Sequence, residues 1–337
     1  MGAGESYMRG DRSCNDLTAA MRVLLRNRQV LDGMETGVAR LPAPLRQGLH
    51  WAARNTREGS RRNIAAHYDL GNDIFKLFLD PTLMYSSAVF EHPDTTLEQA
   101  SIAKLDRICR RLALKSSDHV LEIGTGWGGF AMYAAGELGC HVTTITISQA
   151  QAELTRERVR AAGLEDRVDV QLRDYRDIDG TYDAIVSIEM LEAVGAEYYE
   201  AYFEAVDRAL RPGGRFSLQV ITFPDVAYES QRRGANWIQT YIFPGGLCPS
   251  LAVMERSLHR TNLLIRAVTD IGPSYARTLR AWRMRFLDQL DAVRAQGYDE
   301  RFIRMWEYYL ALCEAGFATG VTQDQQLVLE KGRGLDA

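Results

Sequence analysis

The residues best placed to do chemistry stand together in Val120-Leu121-Glu122-Ile123-Gly124-Thr125-Gly126-Trp127-Gly128-Gly129-Phe130. An apolar run ends at Gly124 and Gly126, which let a backbone turn tightly and bring its N–H groups against a ligand. A nicotinamide-binding turn of this shape needs a carboxylate about twenty residues on, at the end of the second strand, to hold the ribose. That second run, His141 to Ile147, leads into Ser148 and Gln149 without an acid. The acid precedes the glycines instead, as Glu122. The turn therefore serves a ligand other than a nicotinamide dinucleotide, or it only tightens strand–helix packing.

Positioning such a turn requires a strand before it and a helix after it, and the chain continues that alternation. Strands are expected at 119–124, 141–147, 167–172, 182–189 and 214–222, and helices at 127–138, 148–162 and 197–210. The last of these helices carries Tyr199, Tyr202, Phe203, Val206 and Leu210 at helical spacing. This order predicts an α/β fold, a mostly parallel sheet covered on both faces with ligands at the carboxyl ends of its strands. A sixth strand at 263–271, helices at 274–296 and 299–316, and a last strand at 326–330 give seven strands. Between the fifth and sixth strands, Phe223 to Ser250 contains Trp237, Ile238, Tyr241, Ile242 and Phe243. So long and apolar an insertion reads as a lid or a lipid-facing wall. Ahead of the sheet, Thr95-Thr96-Leu97-Glu98 offers a helix cap, and Ile74, Phe75, Phe78 and Leu79 form a helical stripe. Helices are also expected at 14–32 and 44–57, so that residues 1–59 form an N-terminal helical segment and 60–337 the main domain. Trp282, Trp306, Tyr308 and Tyr309 have the spacing of core residues.

The 337 residues, 46% of them hydrophobic, suffice for one large core, and a net charge of −4 argues against nucleic acid as the partner. Residues 1–62 hold 11 Arg against 6 Asp and Glu. Such a flank suits an anionic lipid surface or a solvated helix face equally. Five scattered cysteines, Cys14, Cys109, Cys140, Cys248 and Cys313, give neither a metal spacing nor a disulfide framework and fit a reducing cytoplasm. No apolar run is long enough to cross a membrane, which leaves peripheral contact as the expectation.

Several motifs then stand in a recognisable order: His67-Tyr68-Asp69-Leu70-Gly71-Asn72, Tyr85-Ser86-Ser87-Ala88, the glycine turn, Asp174-Tyr175-Arg176-Asp177, Glu192-Ala193-Val194-Gly195 and Tyr241-Ile242-Phe243-Pro244-Gly245-Gly246. Together they resemble the cyclopropane fatty acid synthase and mycolic acid methyltransferase family over about residues 60–332. The resemblance implies a Rossmann-like class I methyltransferase fold with S-adenosylmethionine as donor. It also implies addition of a one-carbon unit to a cis double bond in an acyl chain of a phospholipid, giving a cyclopropane or a methyl- or methylene-branched chain. The enzyme would be cytoplasmic, peripheral at the inner face of the membrane, and a homodimer.

In that family the proton acceptor is held to be a bound bicarbonate ion. Its carboxylate ligand falls on Glu192 and its tyrosine on Tyr275, while a cysteine and a histidine position are occupied by Ser87 and Gln219. The resemblance places Tyr85 and Ser86 at the methionine end of the cofactor, with Glu122, Gly124, Thr125 and Gly126 beneath it. It puts Thr146 and Gln151 at the ribose and adenine, and Tyr175, Arg176 and Ile188 along the adenine and the sulfonium. Two other functions are compatible with these residues: a methyltransferase for a soluble small molecule on the same fold, and a non-catalytic lipid-binding relative, to which Ser87 and Gln219 hint.

Overall fold

The computed structural model describes residues 2–27, 59, 71–232 and 236–333. The expected helix at 44–57 and the His67–Leu70 part of the first motif lie outside the described residues. The sheet has seven strands: β1 (His119–Ile123), β2 (His141–Thr146), β3 (Val168–Leu172), β4 (Tyr182–Ile188), β5 (Leu210–Thr222), β6 (Leu263–Asp270) and β7 (Gln323–Lys331). Their order is β3-β2-β1-β4-β5-β7-β6, with β7 antiparallel to both neighbours and the others paired in parallel. The strand order reverses between β1 and β4, so the crevice at their carboxyl ends is where a ligand belongs.

The helices run from α1 (Gly2–Met8) and α2 (Leu17–Arg26) through α3 (Asn72–Lys76), α4 (Leu97–Leu112), α5 (Gly129–Leu138), α6 (Gln149–Ala161) and α7 (Tyr199–Ala209). Beyond β5 come α8 (Asp225–Arg232), α9 (Trp237–Tyr241) and α10 (Leu251–Ser257), then α11 (Gly272–Asp288), α12 (Leu290–Ala295) and α13 (Glu300–Ala318). Local chemistry starts several of them. Thr96 caps α4 in a reciprocal box with Gln99, Ser148 caps α6, and Asn236 and Gln239 form a second box on α9. The single helix expected at 274–296 is broken at Gln289 into α11 and α12.

Two apolar layers cover the sheet. Leu121, Ile185, Phe216 and Leu327 meet α7 through Tyr202, Phe203 and Val206, while Val120, Val142 and Val186 meet α4 and α5 through Ile108, Phe130 and Ala134. A third layer joins Phe75, Phe78, Trp282, Phe286 and Trp306 with the N-terminal Tyr7, Met8, Leu17 and Met21. Here Tyr7 donates its hydroxyl to Glu307 at 2.8 Å and accepts from Arg304 Nε at its carbonyl at 2.6 Å. The N-terminal helices thus close over α13, and Trp282 and Trp306 are the core residues their spacing predicts.

Candidate active site

At the reversal between β1 and β4 opens a cavity of about 520 Å³. Its floor is the glycine turn. Gly124 (φ +99°), Gly126 (+52°) and Gly128 (+84°) hold the left-handed backbone that side chains disfavour, and the space a Cβ would take at Gly126 is open. Glu122, buried beneath, accepts the Thr144 hydroxyl at 2.6 Å, and that hydroxyl also meets Thr125 Oγ1 at 2.8 Å. Burial pushes the Glu122 carboxyl up to about 8, against the opposing pull of the Thr144 hydrogen bond and Lys104.

One wall is the segment before α4. Asp80 is buried and accepts from Thr82 N, Thr82 Oγ1 and Ser101 Oγ at 3.0, 2.6 and 3.0 Å. Leu83 carries a left-handed φ of +54°. Together they aim Tyr85, Ser86 and Ser87 at the strand ends. Lys104 of α4 is wholly buried behind them and donates to Ser86 Oγ at 2.6 Å. Burial pulls this ammonium down to about 8, although Glu189, Asp80, Asp324 and Glu122 act to raise it.

The opposite wall is apolar. The insertion is built as the two short helices α8 and α9 and the segment after them; Trp237 and Ile238 of α9 and Phe243, Pro244 and Leu247 beyond it line the cavity. Leu312, Cys313, Gly316 and Phe317 of α13 and Leu25 of α2 complete it. Trp237 is fixed from outside by Tyr308, ring centroids 4.7 Å apart, and by Gly4, where a Cβ would fall 2.6 Å from its Nε1. Tyr309, at first sight a core residue, lines the cavity too and shares a hydrogen bond of 2.9 Å with the Tyr85 hydroxyl.

Between the two walls lies a carboxylate that the sequence reading missed. β4 ends at Ile188, one residue short of the expected boundary, and the next residue, Glu189, has a φ of +49°. That turn sends its side chain into the cavity wall, where Oε1 accepts Ser87 N–H at 2.8 Å and Gln219 Nε2–H at 2.8 Å, and Oε2 accepts the Tyr275 hydroxyl at 2.7 Å. Gln219 is oriented by Gln326, which donates to its Oε1 at 3.0 Å, and its Nε2 lies 3.2 Å from Asp324 Oδ2. Glu192 follows on a single 3₁₀ turn (Leu191–Ala193). Its Oε1 accepts Ile221 N–H at 2.6 Å, and its Oε2 is shut away from solvent with no partner.

The electrostatics follow from crowding. Burial raises Glu189, while Tyr275, the Ser87 N–H, Lys104 and Gln219 pull it back toward the ionised form. Glu192 is driven up to about 8 by burial and then by Glu189, and Asp324 is driven well up by burial and by both glutamates. Carboxylates this close cannot all ionise. The three donors favour the charge at Glu189, and Glu192 and Asp324, raised by burial and by Glu189, are the ones pushed toward the protonated form. Burial and Glu189 likewise hold the Tyr275 phenol in its protonated, donating form.

The sequence candidates therefore divide. Tyr85, Ser86, Glu122, Gly124, Thr125, Gly126, Thr146, Gln151, Tyr175, Arg176 and Ile188 all border the one cavity, as do Glu192 and Tyr275. Thr146 donates to Gln151 Oε1 at 2.8 Å, and Arg176 is held to Asp174 by two hydrogen bonds of 2.8 and 2.7 Å. Ser87 and Gln219 are fully buried behind the wall, where they hold Glu189. The only available signal for Glu189 was its place at the end of an apolar strand, and for Tyr309 its spacing with Leu312, Cys313 and Gly316.

The family model of mycolic acid cyclopropane synthetase matches residues 55–327. The chain belongs to this family. It is 42% identical to tuberculostearic acid methyltransferase UfaA1 of Mycobacterium tuberculosis, over 98% of this chain and 78% of that protein. It is 38% identical to the cyclopropane-fatty-acyl-phospholipid synthase of Escherichia coli K12, over 98% of this chain and 83% of that one. The solved mycolic acid cyclopropane synthase CmaA1 with SAH and CTAB superposes with a TM-score of 0.75 at 32% identity, covering 80% of this chain and 98% of that chain. As a member, the chain is a S-adenosylmethionine-dependent C-methyltransferase, and its cavity fits that cofactor. The glycine turn leaves open space above Gly126, and burial raises the Glu122 carboxyl beneath it to about 8.

Proposed function

We propose that the enzyme adds a one-carbon unit to the cis double bond of an unsaturated acyl chain of a phospholipid, at the membrane surface. The observation that carries this reading is the two-faced cavity, with a polar glycine floor on one side and the apolar wall of α9 and α13 on the other. Bound over the floor, S-adenosylmethionine supplies an electrophilic methyl carbon. Tyr85, Ser86, Glu122, Gly124, Thr125 and Gly126 would hold its methionine half, and Thr146, Gln151, Tyr175, Arg176 and Ile188 its nucleoside.

An alkene is a weak nucleophile, so the chain's own contribution is to align it and to exclude water. Ile238, Phe243, Leu279 and Leu312 would give the hydrocarbon a dry bed, and Tyr85, Tyr275 and Tyr309, which line the same cavity, would stabilise positive charge developing on carbon. Glu192 and Tyr275 border the same point, with Ser87 and Gln219 behind it. Loss of a proton from the added carbon then closes a cyclopropane. Loss from a neighbouring carbon after a hydride shift would leave a methylene branch instead.

No helix among the described residues is long and apolar enough to cross a membrane. Access to lipid would be peripheral, and Val226 of the insertion, almost fully exposed, suits such contact. All five cysteines are free, which supports a cytoplasmic setting; sedimentation tests the homodimer. The deciding experiment incubates the protein with S-adenosylmethionine and vesicles of cis-unsaturated phospholipid, followed by mass spectrometry of the acyl chains. A gain of one CH₂ supports the proposal, and resistance of the product to catalytic hydrogenation distinguishes ring from methylene branch. Methylation of a soluble acceptor with no change in lipid would overturn it.

A further inference from the structure

The bicarbonate that the family resemblance brings with it does not fit this chain. An anion in that place needs donors, and those expected to serve it, the segment at Ser87, the Gln219 amide and the Tyr275 hydroxyl, all converge on one side chain of the protein itself. Glu189 Oε1 takes the N–H of Ser87 and of Gln219, each at 2.8 Å, and Oε2 takes the Tyr275 hydroxyl at 2.7 Å. Glu192, the remaining expected ligand, has its Oε1 committed to Ile221 N–H at 2.6 Å, which leaves only Oε2 unengaged, and that one oxygen does not hold an ion whose other expected donors are taken.

We propose that the carboxylate of Glu189 stands where an external ion would stand and is itself the proton acceptor, so that the enzyme carries its base in the chain and works without bicarbonate. This rests on the lipid-methylation reading for the identity of the carbon acid, but not for the claim that the ion's place is filled.

Three independent features support the assignment. First, Glu189 borders the cavity on the same wall as Tyr275 and Glu192, whereas Ser87 and Gln219 do not reach it. Second, the backbone is bent to achieve this. A left-handed φ of +49° on a glutamate costs about 1–2 kcal/mol, and strain of that kind persists where the surroundings enforce it. Glu189 N–H is tied to Gln219 O at 2.8 Å, which fixes the bend to the neighbouring strand β5. Third, the donors are presented by rigid elements: Tyr275 by α11, Gln219 by β5 and through it by Gln326 of β7.

The step balances within the reaction. The alkene π pair forms the new C–C bond to the methyl carbon, whose bond to sulfur breaks and leaves a neutral thioether. A C–H bond of the resulting cation then gives its electron pair to ring or double-bond formation and its proton to a Glu189 oxygen, from which solvent later removes it.

The test has one readout that needs no turnover. Bicarbonate is titrated calorimetrically into the full-length protein saturated with S-adenosylhomocysteine. The wild type should show no binding. Glu189→Gly should bind the ion, because it frees the three donors and adopts the left-handed φ without strain. Binding of bicarbonate to the wild type would overturn the proposal, whatever the substrate proves to be. With unsaturated phospholipid vesicles and S-adenosylmethionine in carbon-dioxide-stripped buffer, the wild type should keep its full rate. Glu189→Gln and Glu189→Gly should each lose at least about a hundredfold, the size of a missing general base. Added bicarbonate should restore about tenfold or more to the glycine variant and nothing to the glutamine variant, whose amide still fills the space. A wild type that stalls in stripped buffer, or a Glu189→Gln variant at the wild-type rate, would refute the assignment.

Discussion

Replacing Lys104 with methionine separates what this side chain does for stability from what it does for the site. The ammonium is wholly buried, and its hydrogen-bond partner is Ser86 Oγ at 2.6 Å. Burial lowers it from 10.5 to about 8, so that holding the proton costs the folded state about 3 kcal/mol at pH 6, at 1.36 kcal/mol per unit. The sign follows from proton counts. Between about 8 and 10.5 the unfolded chain binds the proton and the folded chain does not, so this group's contribution to stability rises with pH across that window and its full cost is felt below it. Methionine keeps the aliphatic stem, removes the charge and leaves Ser86 short of one partner, a loss of about 1 kcal/mol. Lys104→Met should therefore be at least as stable as the wild type in urea at pH 6. Activity should move the other way. The positive charge helps keep Glu189 ionised, and a neighbouring opposite charge is worth about 1–3 pKa units to a carboxylate. The acid limb of the pH–rate profile should shift up by about one unit or more, with about a tenfold loss on that limb. The two profiles should converge above about pH 8, where the wild-type lysine is itself losing its proton. Superimposable acid limbs, or a variant several kcal/mol less stable, would show that the lysine is a structural cation and that the charge argument fails.

Three more outcomes are expected. Glu192→Gln reproduces the protonated form toward which burial and then Glu189 push Glu192, so its turnover should stay within about tenfold of wild type, less than a lost general base costs; a deeper fall than in Glu189→Gln would make Glu192 the acceptor. Because Glu122 holds its proton up to about pH 8, arrival of a cationic sulfonium ligand should expel it. Calorimetry in buffers of different ionisation enthalpy should show proton release at pH 7, which Glu122→Gln abolishes. Gly128→Ala should lower stability by about 1–2 kcal/mol of left-handed strain, plus the displacement of Thr155 Cγ2, 2.7 Å from the new methyl group. An unchanged urea midpoint would contradict that.

Much of the fold was legible because it rests on local periodicity. The strands recur within one or two residues of their expected ends except at β5 and β7, which extend further toward the N-terminal side. Other features were not legible, for physical reasons. α1 contains Gly2 and Gly4 and has little intrinsic helicity; it forms because Tyr7 and Met8 dock on α13. Tyr309, Leu312, Cys313 and Gly316 have the spacing of a buried helix face, and spacing alone does not tell a core from a cavity wall. Ser87 and Gln219 were found as positions, but their role depends on a third residue. Glu189 was hidden because nothing in its type announces a left-handed φ. It was read as the last residue of a strand, where its side chain would have followed the pleat.

That single dihedral links the cost of the site to its chemistry. Among the described residues, the non-glycine positions with positive φ are Leu83, Ala113 and Glu189. Ala113 closes α4 as an ordinary left-handed cap. Leu83 and Glu189 end no helix, and both border the cavity. Strain of this kind persists only where tertiary contacts outweigh it, and here the contacts are the hydrogen bonds that aim Tyr85, Ser87 and the Glu189 carboxylate. A base tied to β4 in this way reaches a fixed arc of carbons, whereas a diffusible anion approaches from wherever its ligands allow. On the proposed assignment, the choice between ring closure and branching would follow the register in which the apolar wall of α9 and α13 presents the acyl chain to Glu189.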